Sequence, residues 1–307
     1  MVTEYVVEIH EYMKELELQT RPDPHYMDRQ SEINWKMRSI LVDWLIEVHG
    51  KFRLLPETIF LAINIMDRLL SIRTIALVKL QLVGIVSLQI ASKYEEVVCP
   101  SVSSFLYMTD GCYDEEQLLA AERYVLKQID FNLSYPNPIN FLRRISKADG
   151  YDIQTRTVAK YFIEMSCVER KFIQYTPSMV AAAGMWLARK VLDRGYWNAN
   201  LVHYSTYSQL ELLPCAQLML DYVLRRSQAP NEPIEHPHFY KKYSAKKFFK
   251  AAELVRQWAE RRYLVRKPAP SGATYGAVAT LFTGLEGGGR LEEWEDEGEE
   301  IPEVDYE

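Results

Sequence analysis

The chain has little of what chemistry at a site requires. Its 307 residues include only four cysteines, Cys99, Cys112, Cys167 and Cys215. None stands at a C-x-x-C spacing and no His pair lies near them at ligand spacing, which argues against zinc and against a disulfide framework. Free thiols suggest a reducing compartment, nucleus or cytoplasm. The histidines, His10, His25, His49, His203, His236 and His238, are scattered with no nucleophile motif beside them. His236 and His238 flank Pro237 in what reads as a loop, a pattern seldom used for a metal. No phosphate-cradling G-x-x-x-x-G-K-[ST] is present, and no G-x-G-x-x-G opens a helix. The expectation is a protein with no catalytic residue, no metal and no cofactor. The longest uncharged apolar window, residues 80–92, is too short to span a bilayer and contains Gln81 and Gln89. The N-terminus has no secretory signal pattern, so no membrane partner is expected.

A concentrated basic face is missing too. The net charge of −6 divides into −10 from Pro268 onward, where eleven acids meet one base, and +4 for the rest. That weakly basic body is not the footprint of a nucleic-acid binder. The one basic cluster, Lys241, Lys242, Lys246, Lys247 and Lys250, has helical spacing and reads as a solvated helix face.

Strand patterning is nearly absent, and apolar residues recur at three and four positions almost everywhere, so the chain reads as all-α. Helices are expected near 3–18, 33–52, 56–71, 77–96, 101–108, 114–129, 138–147, 153–172, 177–192, 208–226 and 244–263. Pro56 and Pro177 stand one residue inside helix starts, where a missing N–H is harmless. Asp114 with Gln117 resembles a capping box. The stretch 131–138, rich in Pro and Asn, breaks the pattern and reads as a linker between two bundles. A weak internal repeat supports two units: Lys51, Phe52 and Pro56 are echoed by Lys171, Phe172 and Pro177, at an offset of about 120 residues. A second echo matches 113–129 with 207–223. The expected organisation is an N-terminal helix and lead-in (1–30), then two tandem five-helix bundles (31–134 and 135–265), then an acidic tail (266–307). The tail holds too little apolar surface to offset its ordering entropy, so disorder is expected.

Helix 37–52 is too apolar for a bundle surface. On a wheel of about 100° per residue, Met37, Ile40, Leu41 and Trp44 extend its apolar arc far beyond the stripe of roughly 100° that faces a core, with Glu47 at the edge. Either the helix is buried nearly all round, or these residues form an exposed docking patch. Charges also lie inside apolar helices, and isolated buried charges are expensive. Arg38 and Asp67 are candidates for a pair joining two helices. Lys93 and Glu122 could be internal partners or a clamp projecting toward another protein.

Several segments together resemble the cyclin box: Met37-Arg-Ser-Ile-Leu-Val-Asp-Trp-Leu45, Asn64-Ile-Met-Asp-Arg-Leu-Leu70, Lys79-Leu-Gln-Leu-Val-Gly84, Ala91-Ser-Lys-Tyr-Glu-Glu96 and Glu122-Arg-Tyr-Val-Leu126. The likeness continues through Tyr175-Thr-Pro-Ser-Met-Val-Ala-Ala-Ala183 and Leu213-Pro-Cys215 and covers about residues 3–265. The N-terminal run, with Tyr5, is similar to the mitotic A/B class, and the second unit to fungal B-type cyclins. The resemblance implies a regulatory subunit without catalysis of its own. Such a subunit would bind and activate a cyclin-dependent serine/threonine kinase as a heterodimer, recruit substrates and inhibitors carrying Arg-x-Leu, and act at G2/M in mitosis. The resemblance gives Lys93 and Glu122 contact with the kinase αC helix, within a surface of Tyr5, Tyr94, Glu95, Leu126, Phe131 and Leu133. It gives Met37, Ile40, Leu41, Trp44, Glu47, Leu80 and Gln81 the Arg-x-Leu docking patch, and Arg38 with Asp67 a structural ion pair. Ser39, often Ala in related chains, and Tyr94, often Phe, are departures. The alternative is a nucleic-acid-binding factor using the same double fold, which the missing basic face disfavours.

Overall fold

Helix starts are written locally in side-chain oxygens and prolines. The structure, a computed structural model, describes residues 3–228 and 232–264. The N-terminal helix α1 is Val6–Gln19. A first group follows: α2 (Trp35–Phe52), α3 (Pro56–Ile72), α4 (Leu80–Glu95), α5 (Val102–Met108) and α6 (Glu115–Gln128). The second group is α7 (Pro138–Ala148), α8 (Ile153–Val168), α9 (Pro177–Val191), α10 (Ala199–Ser205) and α11 (Gln209–Gln228), with α12 (Pro237–Tyr243) and α13 (Ala251–Ala259) after it. Asn34, Asp152 and Thr176 each accept a backbone N–H to open α2, α8 and α9. Asp114 and Gln117 form the reciprocal capping box of α6. Helix α3 has Leu55 at its cap and Pro56 first, so it cannot cap itself. Glu96 does so from the end of α4, taking the Leu55 N–H at 2.7 Å and the Thr58 hydroxyl.

The uncharged segment 80–92 is explained by position. In α4 Leu80 and every residue from Leu82 to Ser92 are buried, because α2, α3 and α6 pack around it. Helix α9 plays that part in the second group, enclosed by α7, α8 and α11. Close packing uses glycine: a Cβ on Gly84 would lie 2.8 Å from Leu41 Cδ1, so Gly84 lets α2 approach α4. Among the described residues no helix is long and apolar enough to cross a membrane.

Several expectations change. The first echo of the repeat is out of register: Pro56 opens the second helix of its group, whereas Pro177 opens the third, whose counterpart is α4. A Pro at the first helical position after an aromatic turn is a connection signal that any helix can use, so it does not mark order. The second echo pairs α6 with α11, fifth with fifth. The expected helix 153–172 stops at Val168, where Glu169 is extended and its side chain receives Lys171 N–H in a separate turn. The expected helix 244–263 is broken by Phe249 and Lys250, both left-handed at φ 52° and 51°. Helices α10 and α12 were not expected, and Pro237 begins one of them rather than sitting in a loop. The acidic tail and its expected disorder lie outside the described residues.

Three polar networks bind the two groups and α1 together. Arg38 donates to Asp67 through Nε at 2.8 Å and Nη2 at 2.6 Å, and its Nη1 reaches the Cys167 carbonyl of α8 at 2.9 Å. The buried Tyr26 hydroxyl also donates to Asp67, at 2.8 Å. Helix α1 is fixed to the start of α9: Lys14 donates to Ser178 and Tyr207, while buried Glu17 takes Ser178 N–H at 2.9 Å. The third network lies between α2 and α12 and belongs to the site.

Candidate functional site

Two surfaces carry the residues singled out from the sequence. The first is at the C-terminal end of α4. Lys93 Nζ lies 2.5 Å from Glu122 Oε1 on α6, with side chains 45% and 11% exposed. Internal pairing and exposure therefore coexist: the pair is made within the chain, and its cation stands half in water. Next to Lys93 in the chain Tyr94, Val97 and Val98 are exposed, Val97 almost completely at 99%, and so is Phe131 just past the end of α6. Leu126, Leu133 and Glu95 are half-buried. Burial, then the neighbouring acids Glu57 and Glu96, push the Glu95 carboxyl above its ordinary range. Phe131 is presented by geometry: Asp130 and Phe131 are left-handed at φ 53° and 55°, and Phe131 N–H returns to Leu126 O at 2.9 Å. Arg68 Nη1 holds the next residue by its carbonyl, 2.8 Å from Asn132 O. On this turn the Phe131 ring stands 67% exposed. Tyr5 is exposed in a single turn ahead of α1.

The second surface lies along α2 where it meets α4. Ile40 is 59% exposed, and Met37, Trp44, Glu47 and Gln81 are half-buried. Leu41 and Leu80 differ: at 6% and 5% exposure they form the floor, Leu41 against Gly84. The wide apolar arc of α2 thus has two owners, core on one side and an open patch on the other. Glu47 at the rim has both oxygens engaged, Oε1 by Lys51 at 3.1 Å and Oε2 by His238 Nε2 at 3.2 Å.

A polar network beside this patch escaped sequence reasoning. Asp43 is buried and accepts the backbone N–H groups of His238 and Phe239 at 3.2 and 2.9 Å, and His238 Nδ1 is 2.9 Å from it. His236 meets the Ser39 hydroxyl through Nε2 and the Tyr222 hydroxyl through Nδ1, the latter at 2.7 Å. Ser39 in place of Ala therefore changes more than volume, since its hydroxyl reaches the second group. The signals were present: an acid inside Ile-Leu-Val-Asp-Trp-Leu, and two histidines around a proline that starts a helix. Among the described residues no group of three or more His, Cys, Asp or Glu could hold a metal.

Comparison with known proteins decides what the arrangement belongs to. The Cyclin, N-terminal domain matches residues 8–134, and the Cyclin, C-terminal domain matches residues 136–257. The chain belongs to the cyclin family. This cyclin is 59% identical over 261 residues to the G2/mitotic-specific cyclin cdc13 of Schizosaccharomyces pombe, covering 85% of this chain and 53% of that protein. It is 53% identical to the G2/mitotic-specific cyclin-B of Emericella nidulans, with the same coverage. It spans about half the length of the curated relatives it matches. Among solved structures its fold resembles a viral cyclin from Herpesvirus saimiri, at a TM-score of 0.62 and 20% identity over 69% of this chain and 94% of that one. In this cyclin Lys93 stands in the last turn of α4 and Glu122 within α6, while Leu80 and Gln81 of the α2 patch stand in the first turn of α4.

Proposed function

We propose that this cyclin is the non-catalytic regulatory subunit of a cyclin-dependent serine/threonine kinase, working at G2/M. The likeness to fungal G2/mitotic cyclins supports the timing. The observation that carries the reading is the Lys93–Glu122 pair, whose lysine is half exposed, with open apolar side chains on the segments that follow its two helices. Aromatic and aliphatic anchors around a desolvated charged centre are what a tight protein interface uses. A kinase is active when its αC helix is turned inward, completing the Lys–Glu pair and the magnesium site. A rigid double bundle that binds the inward arrangement better shifts the population toward it. In the free chain Lys93 and Glu122 neutralise each other. On the kinase each can turn to a polar group of αC, so no bare charge is left in either state.

The second surface supports recruitment of Arg-x-Leu substrates and inhibitors. Met37, Ile40 and Trp44 over a floor of Leu41 and Leu80 suit a Leu side chain, and Glu47 suits an Arg. Docking there raises the local concentration of chosen substrates.

Co-purification with a cyclin-dependent kinase and a histone phosphorylation assay test the first reading. The double variant Lys93→Ala with Glu122→Ala is expected to lose about tenfold or more in kinase affinity, in line with loss of a central hot spot. Unchanged activation by a folded double variant would overturn the assignment.

A further inference from the structure

The second group holds a cavity that neither surface uses. It has a volume of about 360 Å³ and lies where α8, α11, α12 and α13 meet. Its walls are rings: Tyr161 of α8, Tyr222 of α11, and Phe239 and Tyr240 of α12. Tyr161 and Phe239 stack with centroids 5.3 Å apart and planes 10° from parallel, and Tyr222 stands edge-on to Phe239 at 6.4 Å. Protein interiors are close-packed, with few voids larger than a water molecule. An apolar cavity of about 150 Å³ already holds benzene, so this one has room for two fused rings.

The Tyr161 hydroxyl sets the chemistry. The residue is only 4% exposed, yet its oxygen has no hydrogen-bond partner among the described residues. Its neighbours differ: the Tyr222 hydroxyl is taken by His236 and the Tyr243 hydroxyl by Glu164. A buried hydroxyl left unmet costs free energy, and a ligand that meets it removes the cost. Burial, then the nearby Tyr240, raise the Tyr161 pKa, so the hydroxyl keeps its proton and both donates and accepts. Net charge selects nothing here. Arg225 and Arg256 line the cavity against Glu232 and Glu235, and the arginines are already paired with Glu169 and Glu260. We infer that this cavity is a binding site for a neutral aromatic of two fused rings bearing one N–H or O–H, its rings against the aromatic walls and its polar group on the Tyr161 hydroxyl. That chemistry arrives either as a free molecule or as a tryptophan side chain of a partner, and the two differ in whether a peptide passes the mouth.

The full 307-residue chain is titrated by calorimetry with three probes. They are indole, indene (the same shape without the N–H) and N-acetyltryptophanamide. Indole is expected to bind with a dissociation constant of about 1 mM or below, in keeping with a ligand of its size. Tyr161→Phe removes an oxygen that holds nothing in the chain, so the fold is kept. It should weaken indole about threefold to tenfold, the loss of one hydrogen bond, and leave indene unmoved. Ala252→Leu puts a larger side chain into the space from α13 and should abolish binding of every probe. N-acetyltryptophanamide bound as well as indole supports the site and identifies its occupant as a side chain. Indole bound without the amide supports the site and identifies a free molecule. Indole binding that Tyr161→Phe leaves unchanged overturns the assignment, as does a wild type that binds indole and indene alike. A wild type that binds none of the probes, or binding that a folded Ala252→Leu chain retains, overturns the site itself. Should circular dichroism show Ala252→Leu unfolded, the Tyr161→Phe comparison decides alone.

Discussion

Arg38 and Asp67 keep 2% and 5% of their side chains in contact with solvent, whereas Lys93 and Glu122 keep 45% and 11%. Both are a cation and an acid on different helices of the first group, and both stand out in the sequence as charges inside apolar segments. Arg38 spends its donors inside: two on Asp67 and one on the Cys167 carbonyl. Lys93 donates to Glu122 alone among side chains and leaves the rest of its ammonium half in water. Burial turns the first pair into a fastening that is costly to break from one side. Exposure leaves the second available to a partner. Breaking a buried pair strands a charge in a low dielectric, while breaking a surface pair returns two charges to water.

The sharpest way to break the comparison is Arg38→Ala. It leaves Asp67 buried with only Tyr26 as donor, and a loss of about 3–5 kcal/mol is expected, read by chemical denaturation. A loss below about 1 kcal/mol would place Arg38 with the surface pairs.

Protons test the same contrast. His49 is buried at the far end of α2, donates from Nε2 to Leu55 O at 2.8 Å, and has no partner at Nδ1. Burial, followed by the charge of Lys242, pulls its pKa down from 6.5 to about 4. The folded value lies below the unfolded one, so this contribution is complete above pH 6.5 and is lost as pH falls toward about 4. Full loss amounts to about 3 kcal/mol. Stability measured across that window should fall less steeply in His49→Gln than in the wild type. The rim around Lys93 carries no histidine, so kinase affinity should stay level over the upper part of the same window.

The smallest effect sharpens the other side. Lys93→Ala with Glu122→Ala should change stability by less than about 1 kcal/mol, although the same variant is expected to lose kinase affinity. A stability loss comparable with Arg38→Ala would make the rim pair structural and leave the interface without its charged centre.

The all-helical class, the capping box at Asp114 and the buried, charge-free segment in α4 were legible because each depends on period and neighbours within one turn or two. The α2 arc was legible as excess but not as surface, since a wheel gives width and not what covers it. The register of the repeat was misread at Pro177 because a helix-start signal is local and carries no order. Asp43 with His238, and Glu96 over α3, were invisible for a related reason: each joins groups that are far apart in the chain and meet only when helices pack.

Sequence by itself therefore determined that this protein is a helical cyclin with charged residues placed where charges are expensive. Only the tertiary structure decided which charges are fastenings and which are offered outward. It sank Leu41 and Leu80 into the floor, left Ile40 and Phe131 in the open, and put His238 against Glu47. The physical reason is that burial and pairing are properties of the space between elements, and the free energy of a charge is set by that space and not by its neighbours in the chain.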